Sequence, residues 1–121
     1  MASMNPAELS SLTAALEDRQ RELSEQLNVT SEAKQREIDR YHDAGQHDQG
    51  EESAEEQVMD NATAVIGHLR AELADVRAAL KRVESGEYGQ CLDCGIDIPL
   101  PRLKAQLHAS RCVDCQSRLD S

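Results

Sequence analysis

Residues 91–115 read CLDCGIDIPLPRLKAQLHASRCVDC and contain all four cysteines of the 121-residue chain. Cys91 and Cys94 form one C-x-x-C pair, Cys112 and Cys115 form a second, and 17 residues separate the two pairs. Two such pairs at this separation are typical of a tetrahedral zinc site with four thiolate ligands. The sequence therefore predicts one zinc ion held by these four cysteines.

The ligand count predicts a structural ion. A catalytic zinc keeps one coordination position open for water, whereas four cysteines close the sphere, so we do not expect an enzyme. Disulfides or a thioredoxin-type redox pair are the alternatives. We favour zinc because no signal-peptide pattern is present and a redox site needs only one pair. His108 lies four residues before Cys112, and we expect it to be a surface residue.

Composition limits the function further. The chain has 23 acidic and 13 basic residues and a formal net charge of −10, which argues against binding nucleic acid mainly through phosphates. Residues 86–121 contain four basic and five acidic side chains, with no basic helix suited to a DNA groove. No apolar run approaches the ~20 residues of a membrane span. We therefore expect a cytoplasmic protein without membrane association.

Two long amphipathic patterns precede the cysteines. The first begins at Asn5, a predicted N-cap, followed by Pro6 at the first helical position and Glu8 near the positive end of the helix dipole. Its apolar positions are Leu9, Leu12, Leu16, Leu23, Leu27, Ile38 and Tyr41. The pattern stops near Asp43, where glycines at 45 and 50 among polar neighbours indicate a turn.

The second pattern is predicted to begin at the capping-box sequence Ser53-Ala54-Glu55-Glu56 and to end at Ser85-Gly86. Its apolar positions are Val58, Ala62, Val65, Ile66, Leu69, Leu73, Val76, Leu80 and Val83. The first apolar stripe is narrow, the two runs are of similar length and the connection is short, which favours an antiparallel coiled-coil hairpin.

The predicted fold is therefore all-α: a long antiparallel coiled-coil hairpin over residues 1–85, followed by a small four-Cys zinc finger over residues 86–121 with a short C-terminal helix. We expect a monomer. A narrow apolar seam can also pair between chains, so the alternative is a structural or oligomerising interaction module.

An acidic tip is predicted at about residues 43–53. Between Arg40 and Arg70 there is no lysine or arginine, while seven acidic residues lie in that span. For most of them a solvated helix start is the ordinary interpretation. Asp48 and Glu51 lie in the predicted turn, where their carboxylates are placed to meet a metal ion or a basic group in a partner's cleft.

Three stretches, Glu84–Ile98, Arg102–Ala105 and Arg111–Gln116, resemble the zinc finger of the DksA/TraR family of bacterial regulators of transcription initiation. The preceding acidic-tipped hairpin extends the resemblance to most of the chain. The resemblance implies that the hairpin enters the secondary channel of RNA polymerase, that no DNA is contacted, and that tip carboxylates lie near the catalytic Mg²⁺.

The chain departs from the family pattern at two places. The family's tip motif D-x-x-D-x-A falls on Asp48, Glu51 and Ser53, so the second acid is longer by one methylene. The family's cations for the alarmone ppGpp correspond to Asp75, Gln106 and Gln116, which cannot replace positive charges facing a pyrophosphate. The resemblance therefore implies weak or absent ppGpp synergy, closer to the short TraR-like members.

Overall fold

The computed structural model describes residues 4–43 and 49–121, and the side chains of residues 43–59 lie outside the described set. Its helices are α1 (Pro6–Asp43), α2 (Gln49–Ser85), α3 (Leu100–Ala105) and α4 (Val113–Asp120). One isolated antiparallel bridge joins Gln90 and Asp97. The predicted all-α fold class is confirmed. Across the described ranges, none of the helices combines enough length and hydropathy to cross a bilayer.

The start of α1 is fixed by a reciprocal pair of hydrogen bonds. The backbone N–H of Glu8 donates to Asn5 Oδ1 at 2.8 Å, and the backbone N–H of Asn5 donates to Glu8 Oε1 at 3.1 Å. Both groups belong to a helix end whose first amides have no partner within the helix. The predicted N-cap at Asn5 is confirmed.

The start of α2 differs from the prediction. The helix begins at Gln49, four residues before Ser53, so the predicted capping box at Ser53 is wrong. Gly50 and Glu51, which we placed in the turn, lie in the first turn of α2. A single glycine costs a helix only about 1 kcal/mol relative to alanine, and the long apolar stripe that follows is enough to carry the helix through it.

The chain packs as two compact units, each of which contains a part of both long helices. The first unit comprises residues 1–21 and 74–121, so it pairs the start of α1 with the end of α2 and includes the cysteine-rich segment. The second unit, residues 22–73, pairs the end of α1 with the start of α2. Within each unit the helices are therefore antiparallel, as the predicted hairpin requires. The predicted domain division into residues 1–85 and 86–121 stays a prediction.

The predicted apolar stripes supply the buried seam. In the first unit Leu16 and Val76 are fully buried, and in the second unit Leu23 is. The described seam residues with less than a tenth of their surface exposed are Leu12, Leu16, Leu23, Ile66, Leu73, Val76 and Ala79. Ala79 was not in the predicted stripe. Val65 was, but it is 47% exposed, so its assignment to the seam is wrong.

The end of α2 is a Schellman motif. The N–H of Glu87 donates to the Arg82 carbonyl at 2.8 Å, and the N–H of Gly86 donates to the Val83 carbonyl at 3.2 Å. Gly86 has φ +80°, a left-handed conformation that side chains disfavour. The N–H of Tyr88 also donates to the Arg82 carbonyl, at 3.1 Å. The predicted stop at Ser85-Gly86 is confirmed, and the hydrogen bonds lead the chain directly into the cysteine-rich segment.

Candidate metal centre

The first cysteine pair lies on a tight hairpin built by residues 89–98. The N–H of Ile98 donates to the Gly89 carbonyl at 2.7 Å, and the N–H of Cys91 donates to the Ile96 carbonyl at 2.8 Å. Gly95 closes the turn, with its N–H 3.0 Å from the Cys91 carbonyl and a φ of +79°. Cys91 and Cys94 are thereby presented on the same loop.

The second pair lies at the start of α4. Cys112 is the N-cap of this helix, and its Sγ accepts a hydrogen bond from the backbone N–H of Cys115 at 3.5 Å. The N–H of Gln116 donates to the Cys112 carbonyl at 2.9 Å. A helix N-terminus favours negative charge, so this position suits a thiolate.

Three hydrogen bonds tie the segments around the two pairs together. The N–H of Leu92 donates to the Ser110 carbonyl at 2.8 Å. Arg111 Nε donates to Asp93 Oδ2 at 2.8 Å, and Arg102 Nε donates to the Arg111 carbonyl at 3.0 Å. The two loops are thus held in register by backbone and side-chain contacts as well as by any metal.

The four sulfur atoms converge on one point. All four Sγ atoms lie within 4.8 Å of one another, and those of Cys94 and Cys112 are 3.8 Å apart. Zn–S bonds of about 2.3 Å in a tetrahedron place the sulfurs about 3.8 Å apart. Cys91, Cys112 and Cys115 are buried, whereas Cys94 is exposed. The cluster fits one structural zinc ion with four thiolate ligands, as predicted from the spacing.

The environments of the thiols explain why a cation is needed. Burial opposes ionisation of Cys91, but hydrogen bonds from the backbone of Cys112, Cys94 and Asp93 lower its pKa to about 6. The hydrogen bond with the Cys112 thiol and burial raise the pKa of Cys115 to about 12. Four thiols this close do not all ionise unless a metal ion compensates their charge.

A small apolar core supports the metal centre. Tyr88, Ile98, Leu103 and Ala109 are each at most 5% exposed. The Tyr88 hydroxyl donates to the Leu107 carbonyl at 2.8 Å, and burial raises the pKa of Tyr88 to about 12, although the nearby Arg82 opposes that shift. Leu103 is on α3, a helix that begins after Pro99 and carries Pro101 in its first turn. Proline is favoured there because the first amides of a helix need no acceptor within it.

Three residues that the sequence resemblance aligned with nucleotide-binding cations line one cavity. Asp75, Gln106 and Gln116 share the wall of a space of about 520 Å³ within the first unit. Arg82 also lines it, and its Nε and Nη2 atoms are buried without a hydrogen-bond partner in the described part of the chain. Burial lowers the pKa of Arg82. The nearby side chains of Tyr88, Asp75 and Glu87 partly oppose this shift.

His108 also lines this cavity, with Nδ1 4.0 Å from Asp75 Oδ2 and a side chain 22% exposed. It is therefore partly covered rather than a fully exposed surface residue, and it takes no part in the sulfur cluster.

The structure does not describe the side chains of the predicted tip residues. Asp48 lies outside the described residues, and of Glu51 the structure describes only the backbone, in the first turn of α2. Their role stays a prediction.

Sequence reasoning missed the arginines around the metal centre. Arg111 bonds Asp93, and Arg118 Nη2 lies 3.6 Å from Cys115 Sγ. Their positions, one residue before and three residues after a cysteine of the second pair, were the available signal. A cation near a cluster of thiolates is electrostatically favourable.

Comparisons with known proteins agree with this centre. Residues 86–120 match the family model described as the prokaryotic dksA/traR C4-type zinc finger. The chain is 28% identical over 114 residues to the RNA polymerase-binding transcription factor DksA of Salmonella typhimurium, covering 94% of this chain and 72% of that protein.

Two solved structures are similar. Transcription factor DksA2 from Pseudomonas aeruginosa has a TM-score of 0.81 at 19% identity, covering 98% of this chain and 87% of the other, and it supports the fold. The solution structure of the DnaK suppressor protein from Agrobacterium tumefaciens has a TM-score of 0.56 at 30% identity, covering 96% and 95%. Together with the four-Cys centre, these similarities show that the chain belongs to the DksA/TraR family.

Proposed function

We propose that the chain is an RNA polymerase-binding regulator of transcription initiation that acts through the secondary channel and does not bind DNA. The observation that carries this proposal is the similarity to an RNA polymerase-binding transcription factor over 94% of the chain. The antiparallel pairing of α1 and α2 and the four-Cys centre also support it.

The charge of the chain supports a protein target over DNA. A net charge of −10 opposes approach to a phosphate backbone. Seven acidic residues and no lysine or arginine lie between Arg40 and Arg70, which concentrates negative charge at the predicted tip. An acidic probe suits a channel lined by basic groups, and in this proposal Asp48 and Glu51 deliver carboxylates near the catalytic Mg²⁺.

The test is an in vitro initiation assay with purified RNA polymerase and the full chain. We expect Asp48→Asn combined with Glu51→Gln to leave binding to the polymerase core nearly intact and to abolish the effect on transcription. The matched control is Glu32→Gln combined with Asp60→Asn. It removes the same two charges from exposed positions on α1 and α2 and should behave as the unchanged protein.

Three results would contradict the proposal. Unaltered regulation by the Asp48/Glu51 variant would remove the tip from the mechanism. Equal loss of binding and regulation would mean that the tip only docks. An absence of any 1:1 complex with polymerase core would reject the function as a whole.

We propose that ppGpp synergy is weak or absent. Asp75 contributes a negative charge to the cavity, and Gln106 and Gln116 contribute none, whereas a pyrophosphate needs cations. Two of the arginines on the cavity wall are already engaged, because Arg102 donates to the Arg111 carbonyl and Arg111 donates to Asp93. Strong synergy in the same assay would contradict this part of the proposal and would direct attention to Arg82.

One observation favours a second candidate, an oligomerising coiled-coil module. In the second unit Val29 is 63% exposed and Val65 is 47% exposed, and both line a groove with Leu69. Exposed apolar side chains on paired helices can serve an intermolecular seam. Sedimentation across a range of concentrations separates the candidates: self-association without polymerase binding would favour the module.

A further inference from the structure

We propose that Arg111 and Arg118 are positioning residues for the zinc ion. Arg111 and Asp93 together form an arginine clamp that holds the two cysteine pairs at the spacing the metal requires, and Arg118 places a positive charge beside the sulfur of Cys115. Neither arginine is a metal ligand. Both act on how tightly and how long the ion is retained.

The clamp joins the inside of the first pair to the residue that precedes the second pair. Asp93 lies between Cys91 and Cys94, and Arg111 immediately precedes Cys112. The Nε–Oδ2 hydrogen bond is 2.8 Å long, with 27% of the Arg111 side chain and 49% of the Asp93 side chain exposed. Arg111 is also fixed through its backbone, because its carbonyl accepts the 3.0 Å bond from Arg102 on α3. A side chain anchored at both ends limits how far the pairs can separate.

Charge gives the clamp a second role. A divalent ion bound by four thiolates carries two net negative charges, and Asp93 adds a carboxylate within the first pair. Arg111 compensates that carboxylate. Without Arg111, the Asp93 charge would face the anionic cluster with no partner, which weakens retention of the ion.

Arg118 acts on the other side of the cluster. Its Nη2 lies 3.6 Å from Cys115 Sγ, and its Nε is held 3.4 Å from the Asp114 carbonyl. Asp93, Cys94, Cys115, Arg118 and Leu119 line a shallow depression, so the exposed Cys94 and Arg118 share the face that a competing chelator would approach. A cation there compensates part of the negative charge of the zinc–thiolate cluster.

The experiment measures the rate of zinc release from the full chain to an excess of a chromogenic chelator. Loss of a residue that supports a metal ligand typically weakens metal binding by 10–100-fold. Because the Arg111–Asp93 pair is partly exposed, we expect Arg111→Leu to accelerate zinc release by about tenfold. Arg118→Leu should accelerate it by a smaller factor. The control, Arg77→Leu, makes the same change at an exposed position on α2 and should release zinc at the unchanged rate.

A double substitution separates the charge role of Arg111 from a general loss of stability. Combining Arg111→Leu with Asp93→Asn removes the uncompensated carboxylate, so release should be slower than for Arg111→Leu alone. A purely structural role would make the double variant at least as fast. Absorption of the Co²⁺-substituted proteins in the thiolate charge-transfer region should show four thiolate ligands in every variant.

Three results would overturn the proposal: release from Arg111→Leu at the control rate, release from the double variant that is no slower, or release from Arg118→Leu that matches the control. If Arg111→Leu does not fold, Arg111→Lys is the alternative. It keeps the positive charge but removes the hydrogen bond from Nε to Asp93. It should then release zinc faster than the unchanged protein, and release at the unchanged rate would overturn the positioning role.

Discussion

Residues 86–121 bury three cysteines and four other apolar side chains, whereas the described seam of α1 and α2 buries only leucine, isoleucine, valine and alanine. The finger has too few apolar groups to fold on burial alone, and a bound metal supplies the missing free energy. The helices instead gain stability from a periodic seam, end caps and backbone hydrogen bonds. One short chain therefore uses two different sources of stability, and we expect that the helices can persist when the metal is lost.

The largest effect should follow from removal of a ligand. We expect Cys94→Ser to release zinc and unfold the finger, because structural zinc contributes on the order of 10 kcal/mol or more to small zinc domains. Cys94 is exposed, so the change opens no cavity and acts through the metal. The measurements are zinc content and circular dichroism, and the helical signal of α1 and α2 should largely remain.

Ser117→Ala is the control for this change, because Ser117 is an exposed residue on α4 outside the sulfur cluster. Zinc retained at normal affinity by Cys94→Ser would refute the four-thiolate assignment. Complete loss of helical signal would instead refute the independence of the two sources of stability.

The seam provides the converse test. Leu23 is fully buried in the second unit, and its replacement by alanine should lower the free energy of unfolding by about 3 kcal/mol. Val29→Ala, at a position 63% exposed on the same helix, should change it by less than about 0.5 kcal/mol. Denaturant titration gives both values, and zinc content should stay at one ion per chain. Zinc loss in the Leu23 variant would mean that the seam and the metal centre are one cooperative system.

The smallest effect concerns pH. Burial raises the pKa of Tyr88 to about 12 from an ordinary value of 10, so the unfolded chain loses this proton before the folded one. The contribution of the protonated hydroxyl is complete below pH 10 and is lost as the pH rises to about 12. A spectrophotometric tyrosinate titration with parallel unfolding curves should show this loss. Tyr88→Phe should remove it; an unchanged decline in that variant would assign the effect to another group.

The sequence predicted best where the local chemistry was self-contained. Asn5, Pro6 and Glu8 fix the start of α1 within four residues, and Gly86 supplies the left-handed conformation that ends α2. The cysteine spacing predicted the metal centre because ligand chemistry permits few arrangements. At the two helix ends the residues that form the structure are neighbours in the chain, and at the metal centre the number and spacing of the cysteines restrict the arrangement.

The sequence predicted less well those features that tertiary packing determines. Ser53 has the form of a capping box, yet α2 begins at Gln49, because a capping motif is only a local preference. Val65 fits the apolar period but is exposed, and Ala79 is buried instead. The clamp between Asp93 and Arg111 joins residues 18 positions apart, a contact that no local pattern signals.

The carbonyl of Arg82 accepts from the amides of both Glu87 and Tyr88, and this feature has a practical consequence for chimeras. These hydrogen bonds fix the path of the chain from α2 into the finger. One inserted residue would therefore break them and turn the first cysteine pair away from the second pair. Exchanging fingers between family members therefore requires a crossover point before Arg82. A junction at the first cysteine would transfer the metal ligands without the hydrogen bonds to Arg82 that orient them.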